Sequence, residues 1–161
     1  RSSGGMDIIE LAADQAGYRT EFERIDEQIS AWMREWSVPI VRVAIGIVFV
    51  WFGALKLINI SPAAGLVADT AYFFPPSIFI PVLGAWEVVI GLCFLYRPLT
   101  RVAILLLFMQ LPGTFLPVVL LPDVVFTTFP YGLTVEGQYI VKNLVIIGAA
   151  LVIGGTLSDD E

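Results

Sequence analysis

Residues 39–58 read PIVRVAIGIVFVWFGALKLI, with charge only at Arg42 and Lys56, one toward each end. A helix rises about 1.5 Å per residue, so about 20 apolar residues cross the ~30 Å of hydrocarbon in a bilayer. This stretch has that length and composition, and it predicts a membrane-spanning helix opened by Pro39 at a position where proline is tolerated.

Working outward, three more runs of the same kind follow. Residues 78–96 form the second, introduced by Phe73-Phe74-Pro75-Pro76. Residues 102–121 form the third, and Pro112 and Pro117 inside it predict a kink. Residues 139–153 form the fourth, short but extendable to Leu157. The first run starts too late and is too long for a signal peptide. The expected fold is therefore an all-α integral membrane protein, a four-transmembrane-helix bundle over residues 37–157. An amphipathic N-terminal segment over 6–36 precedes it and an acidic tail over 158–161 follows. Arg1 to Gly5, RSSGG, reads as a cloning remnant ahead of Met6.

Composition supports this division. Hydrophobic residues make up 57% of the 161 and charged residues only 15%, and the mean hydropathy is +0.82. Soluble surfaces need more charge than that. The net charge of -6 is concentrated at the two ends, since Met6 to Glu35 carries eight acids against three arginines and Asp159-Asp160-Glu161 closes the chain. Nothing here is basic enough to hold nucleic acid, and no Lys/Arg cluster suggests capture of lipid headgroups. The partners expected are the lipid bilayer and further copies of the chain. Histidine is absent, which removes the usual haem, zinc and copper ligands and the commonest proton shuttle. Cys93 is the only cysteine, so no dithiol relay can form, and within an apolar helix it reads as a packing residue.

In the N-terminal segment Phe22, Ile25, Ile29 and Trp32 or Met33 recur at helical spacing, with Glu21, Glu23, Arg24, Asp26 and Glu27 on the other face. Trp32 and Trp36 then fall near the membrane boundary, where indoles prefer to sit. Such a helix caps a bundle or serves as a docking arm for a partner. Four spans put the N-terminus, the Arg97–Arg101 turn and the C-terminus on one side, with Arg19, Arg24, Arg34, Arg42, Arg97 and Arg101. The other side has only Lys56 and Lys142. The positive-inside rule then places both termini in the cytoplasm of a multi-pass cell-membrane protein.

An ionisable or amide side chain in hydrocarbon needs a reason to be there. The candidate ligand-binding residues are Lys56, Glu87, Gln110, Lys142 and Asn143, with Asp69, Asp123 and Glu136 in the outer loops. Glu87 and Gln110 fall near the middle of their spans, and Lys56 ~10 Å toward the outer face. Helical side chains lean toward their own N-terminus. Lys56 and Glu87 sit on helices of opposite direction, so they lean toward each other and an ion pair is within reach. Gly84 and Gly91 flank Glu87 at i−3 and i+4, and Gly46 and Gly53 share the stripe of Lys56. Small residues mark the faces where membrane helices approach closely, so both charges are expected to point inward. Three readings stay open at this point. The pair is an interhelical clamp, the polar groups line a pocket for a quinone headgroup, or they pass a small polar solute. Glu136-Gly137-Gln138 is also a candidate helix entrance, its carboxylate favoured by the N-terminal dipole.

These residues carry a resemblance. Arg42-Val43-Ala44-Ile45-Gly46 leading to Phe52-Gly53-Ala54-Leu55-Lys56-Leu57 resembles the opening signature of DoxX-like membrane proteins. Gly84-Ala85-Trp86-Glu87 with Gly91 fits the same pattern. So does Glu136-Gly137-Gln138-Tyr139-Ile140-Val141-Lys142-Asn143-Leu144 followed by Gly148-Ala149-Ala150-Leu151, which is also similar to the reactive-chlorine-resistance, DUF417-type branch. The resemblance runs from about Arg42 to Leu157. It implies a four-helix bundle and a link to respiratory-type redox work. Members include the small membrane subunit of a thiosulfate:quinone oxidoreductase and partners of oxidative-stress enzymes, while wider relatives act as assembly or cargo factors. The matched polar positions are Lys56, Glu87, Lys142 and Asn143. The cysteine pair that some redox relatives use is missing here. The expectation is a quinone-linked or redox-stress-associated membrane subunit, not catalytic by itself, with a membrane quinone as its ligand. The alternatives are a small-solute or proton-coupled transporter and a structural or assembly factor.

Overall fold

The computed structural model describes the backbone of residues 6–157 and the side chains of residues 20–157; the RSSGG stretch and the acidic tail lie outside the described residues. Helix α1 (Met6–Leu57) is followed by α2 (Ala64–Thr70), α3 (Pro76–Leu95), a 3-10 turn (Arg97–Leu99) and α4 (Thr100–Leu120). Then come α5 (Pro122–Val125), strands β1 (Phe126–Thr128) and β2 (Gly132–Leu133), α6 (Val135–Val141) and α7 (Asn143–Thr156). Four helical segments are long and apolar enough to cross a membrane: Thr20–Leu57, Pro76–Leu95, Arg97–Leu120 and Val135–Thr156. They correspond one for one to the four hydrophobic runs.

Four expectations are amended. Pro39 lies inside α1 instead of opening the first span. It removes one backbone donor, but residues 35–38, EWSV, supply no glycine or turn chemistry that ends a helix there. The all-α reading missed an antiparallel hairpin between β1 and β2, with Phe126 opposite Leu133 and Thr128 opposite Gly132. Its Phe-Thr-Thr strand favours extended backbone, and Pro130-Tyr131-Gly132 supplies turn residues. The fourth span begins at Val135, ahead of the expected Tyr139, because Thr134 caps it: its hydroxyl accepts from the Gly137 amide at 3.0 Å. Only Lys142 separates α6 from α7, and its backbone keeps helical angles, φ −58° and ψ −22°. Finally, the first outer connection contains a short helix, α2. The expected prolines do lie within α4, and the assigned helix runs through both.

The chain separates into two compact units, residues 1–39 and 40–161. Within the first, Phe22, Ile25, Ile29, Trp32, Met33 and Trp36 are all exposed.

In the second unit α1 and α3 approach through four glycines. A Cβ on Gly53 would stand 2.6 Å from the Gly84 carbonyl oxygen, and one on Gly91 would stand 2.6 Å from the Gly46 carbonyl oxygen. Real Cβ atoms do not come that close, so only glycine permits this separation. Both pairs are spaced seven residues apart, which keeps the contact on one face of each helix. At the end of this seam Arg42 donates to the carbonyls of Phe94 at 2.5 Å and Leu95 at 3.2 Å. These belong to the last turn of α3, whose carbonyls lack helical partners and favour a cation. Arg101 likewise donates to the Leu157 carbonyl at 3.1 Å, just past α7.

Helix α3 is the innermost span: 39% of its apolar window is buried, against 22%, 22% and 17% for the others. Ile90 and Phe94 from α3, Ala103 and Leu107 from α4, and Ala150 and Ile153 from α7 form the packed core. Trp51, Val82, Leu105, Met109, Leu151 and Val152 face outward and are exposed, as apolar residues are when lipid is the surrounding solvent.

Candidate functional site

Helix α3 carries Glu87 to its middle, one helical turn from Gly84, which packs against Gly53 of α1. Lys56, in the last turn of α1, therefore reaches it directly. Lys56 Nζ donates to Glu87 Oε2 at 2.6 Å, and the two side chains are only 7% and 10% exposed. The ion pair read from side-chain lean and glycine position is present. Gln110 of α4 completes the group, its Nε2 donating to Glu87 Oε1 at 3.0 Å. Both carboxylate oxygens are thus engaged, one by an ammonium and one by an amide.

The remaining atom of this triad has no partner. Gln110 Oε1 is buried and makes no hydrogen bond. The amide cannot be turned round to relieve this, because a carboxylate only accepts and Gln110 must present its NH2 end to Glu87. A buried acceptor without a donor forfeits about 1–3 kcal/mol.

Two cavities meet at this triad. The first, of about 370 Å³, runs from Glu87, Gln110 and Thr114 past Phe49 and Phe52 of α1 to Glu136, Tyr139 and Asn143. The second, of about 340 Å³, holds Lys56 and spreads among Phe73, Phe74, Phe79, Leu83 and Leu116. Seven residues line both, Glu87, Gln110, Thr114, Tyr139 and Asn143 among them. Ala63 and Leu66, the other two, come from α2 and the turn before it, so this short helix forms one wall of the junction. The turn is anchored by Ser61, a buried hydroxyl accepting from the Ala63 amide at 3.3 Å.

Asn143 opens α7, directly after Lys142. Its Nδ2 donates to the Tyr139 carbonyl at 3.0 Å and the Ile140 carbonyl at 3.2 Å. Both bonds go back to the preceding helical turn, and its Oδ1 is left as the end free to accept. Lys142, its neighbour, does not join the group. It is exposed, its ammonium 5.6 Å from the centre of the Tyr139 ring, in the range of a cation–π contact. Consecutive helical residues point about 100° apart, so only one of the two can face the cavities. Four of the five candidate residues therefore converge and the fifth does not.

The outer-loop acids Asp69, Asp123 and Glu136 are all exposed, and Glu136 also lines the first cavity. Glu136 lies in the first turn of α6, as a helix-entrance carboxylate should. Sequence reading missed Ser61, Leu66, Thr114 and Tyr139 as lining residues. The Ser61-Pro62 step was a legible turn signal, and Thr114 lies one helical turn past Gln110, its hydroxyl directed at the Gln110 carbonyl at 3.4 Å. Nothing in the sequence singled out Leu66 or Tyr139. Among the described residues no three His, Cys, Asp or Glu side chains gather closely enough to hold a metal ion.

Comparison of the chain with family models, with curated proteins and with solved structures returns no match.

Proposed function

We propose that this chain is a DoxX-like four-helix transmembrane bundle whose polar centre takes the headgroup of a quinone-class redox lipid, in the service of a partner oxidoreductase. The observation that carries this reading is the junction of two largely apolar cavities at Glu87 and Gln110, with a buried acceptor left open there. A pocket for a lipid-soluble ring needs apolar walls and a few convergent polar atoms, and about 300–1,000 Å³ is the usual range. Lys56 supplies a donor at one end of the junction, and the phenylalanine-rich second cavity suits an isoprenoid or alkyl substituent. The chain brings no histidine and no cysteine pair, so electrons come from the partner and this subunit holds the lipid. Both termini lie in the cytoplasm, on the side where Arg42, Arg97 and Arg101 gather.

One further reading is favoured by a specific observation. Glu87 stands in the middle of α3 with a cavity on each side, which is where a proton-coupled carrier places its carboxylate.

The test is mass spectrometry of the protein extracted gently from its native membrane, scoring bound lipids and co-purifying subunits. The expected result is a quinone-class lipid near one per chain, lost in Leu66→Trp, which fills the junction from α2 without touching the ion pair. Absence of any quinone-class lipid, with proton-linked solute uptake by reconstituted vesicles, would replace this reading by the carrier.

A further inference from the structure

We infer that residues 20–36 of α1 form a docking arm for a basic amphipathic helix of a partner protein. This interaction surface is independent of the redox-lipid reading.

Phe22, Ile25, Ile29, Trp32 and Trp36 follow one another at spacings of 3, 4, 3 and 4 residues. The pattern repeats every seven residues, which is the period of a coiled-coil seam. The shape it fits is therefore a second helix crossing at about 20°. All five side chains are between 48% and 77% exposed. A contiguous row of large apolar side chains marks an interaction site, where single exposed ones do not.

The residues bordering this row select among helices. By heptad position Glu21, Gln28 and Glu35 stand along one border, and Asp26 and Met33 along the other. Among the described residues none of the three carboxylates is in an ion pair. Arg24 and Arg34 fall at positions turned away from the row. A second copy of the arm is a poor occupant. Laid parallel it sets Glu21 against Asp26, and laid antiparallel it sets the glutamate border against itself. A bilayer surface fits no better. Helices that lie on lipid carry Lys and Arg on their polar face, and the cytoplasmic leaflet is anionic. Residues 6–35 carry eight acids against three arginines. A helix whose apolar seam is bordered by Lys or Arg matches both the row and its acidic borders.

The experiment uses the full chain in phosphatidylcholine nanodiscs, a lipid without the net charge that would draw a basic probe. The probes are two fluorescent synthetic helices of the arm's length with the same leucine seam, one bordered by lysine and one by glutamate. Binding is read by anisotropy. The lysine peptide is expected to bind about tenfold tighter, as three exposed ion pairs together allow, and to weaken as salt is raised. Ile29→Asp is expected to lose the lysine peptide with the melting temperature of the protein unchanged. Glu21→Lys with Asp26→Lys is expected to move the preference toward the glutamate peptide. Equal binding of the two peptides overturns selection by charge, and binding of neither overturns the docking arm. In the second case Ile29→Cys in a Cys93→Ala background identifies the true occupant. A disulfide between chains gives the row to a second copy, and contact of a spin label there with lipid gives it to the bilayer. Both outcomes leave the redox-lipid reading in place.

Discussion

A lysine and a glutamate taken out of water together lose hydration that each would otherwise hold alone, and only their mutual contact offsets it. At 2.6 Å, with Gln110 on the second carboxylate oxygen, the Lys56–Glu87 contact has the geometry to do this. Removing one partner strands the other. Lys56→Met is expected to destabilise by about 3–5 kcal/mol, whereas Lys56→Met with Glu87→Leu recovers most of that loss. Thermal unfolding in detergent of the wild type, both single variants and the double variant measures the coupling. If the double variant is as unstable as the sum of the singles, the two residues do not act as a pair. The same set separates a clamp from a site, because a clamp survives the double substitution with every function intact and a ligand pocket does not. The pair was legible in the sequence, since helix direction and side-chain lean are local properties. The orientation of Gln110 was not, because it follows from which atom of Glu87 is left over once Lys56 has taken the other.

At the scale of elements, the α1–α3 seam positions everything else. Gly53 and Gly84 bring two backbones together one helical turn from Glu87, and a Cβ on Gly84 would also stand 2.8 Å from the Lys56 Cβ. Backbone atoms cannot swing aside as a side-chain tip can. Gly84→Ala is therefore expected to destabilise by about 1–3 kcal/mol, the usual result of overpacking. Gly148 of α7 has nothing within 4 Å of its would-be Cβ, and Gly148→Ala is expected to be neutral or to stabilise by about 0.5–1 kcal/mol through helix propensity. Melting temperatures of the two variants, compared side by side, decide whether close approach or helix propensity governs these glycines. The glycine stripes were readable from a seven-residue spacing. The bonding of Asn143 back to the Tyr139 and Ile140 carbonyls was not, because only the folded backbone presents them.

For the whole molecule, the distribution of arginines makes a claim about sidedness that labelling can test. Leu99 in the Arg97–Leu99 turn and Tyr131 between the two strands are both exposed, and they lie at opposite ends of α4 in sequence. In a Cys93→Ala background, Tyr131→Cys is expected to react with a membrane-impermeant thiol reagent in intact cells. Leu99→Cys is expected to react only after the membrane is opened. The reverse pattern would invert the topology, and labelling of both in intact cells would mean that α4 does not cross.

The sequence by itself determined that this chain has four membrane-length helices, where three of them sit to within a few residues, and which polar side chains stand between them. Hydropathy and glycine spacing are sums over neighbouring residues, so they need no knowledge of the fold. Only the tertiary structure decided that Lys142 turns away while Asn143 turns in, and that α2 walls the junction. It also decided that the amide oxygen of Gln110 is left without a donor. These depend on the rotation of each helix about its axis and on which atoms meet across chain separations of 23 to 31 residues, which no local pattern encodes.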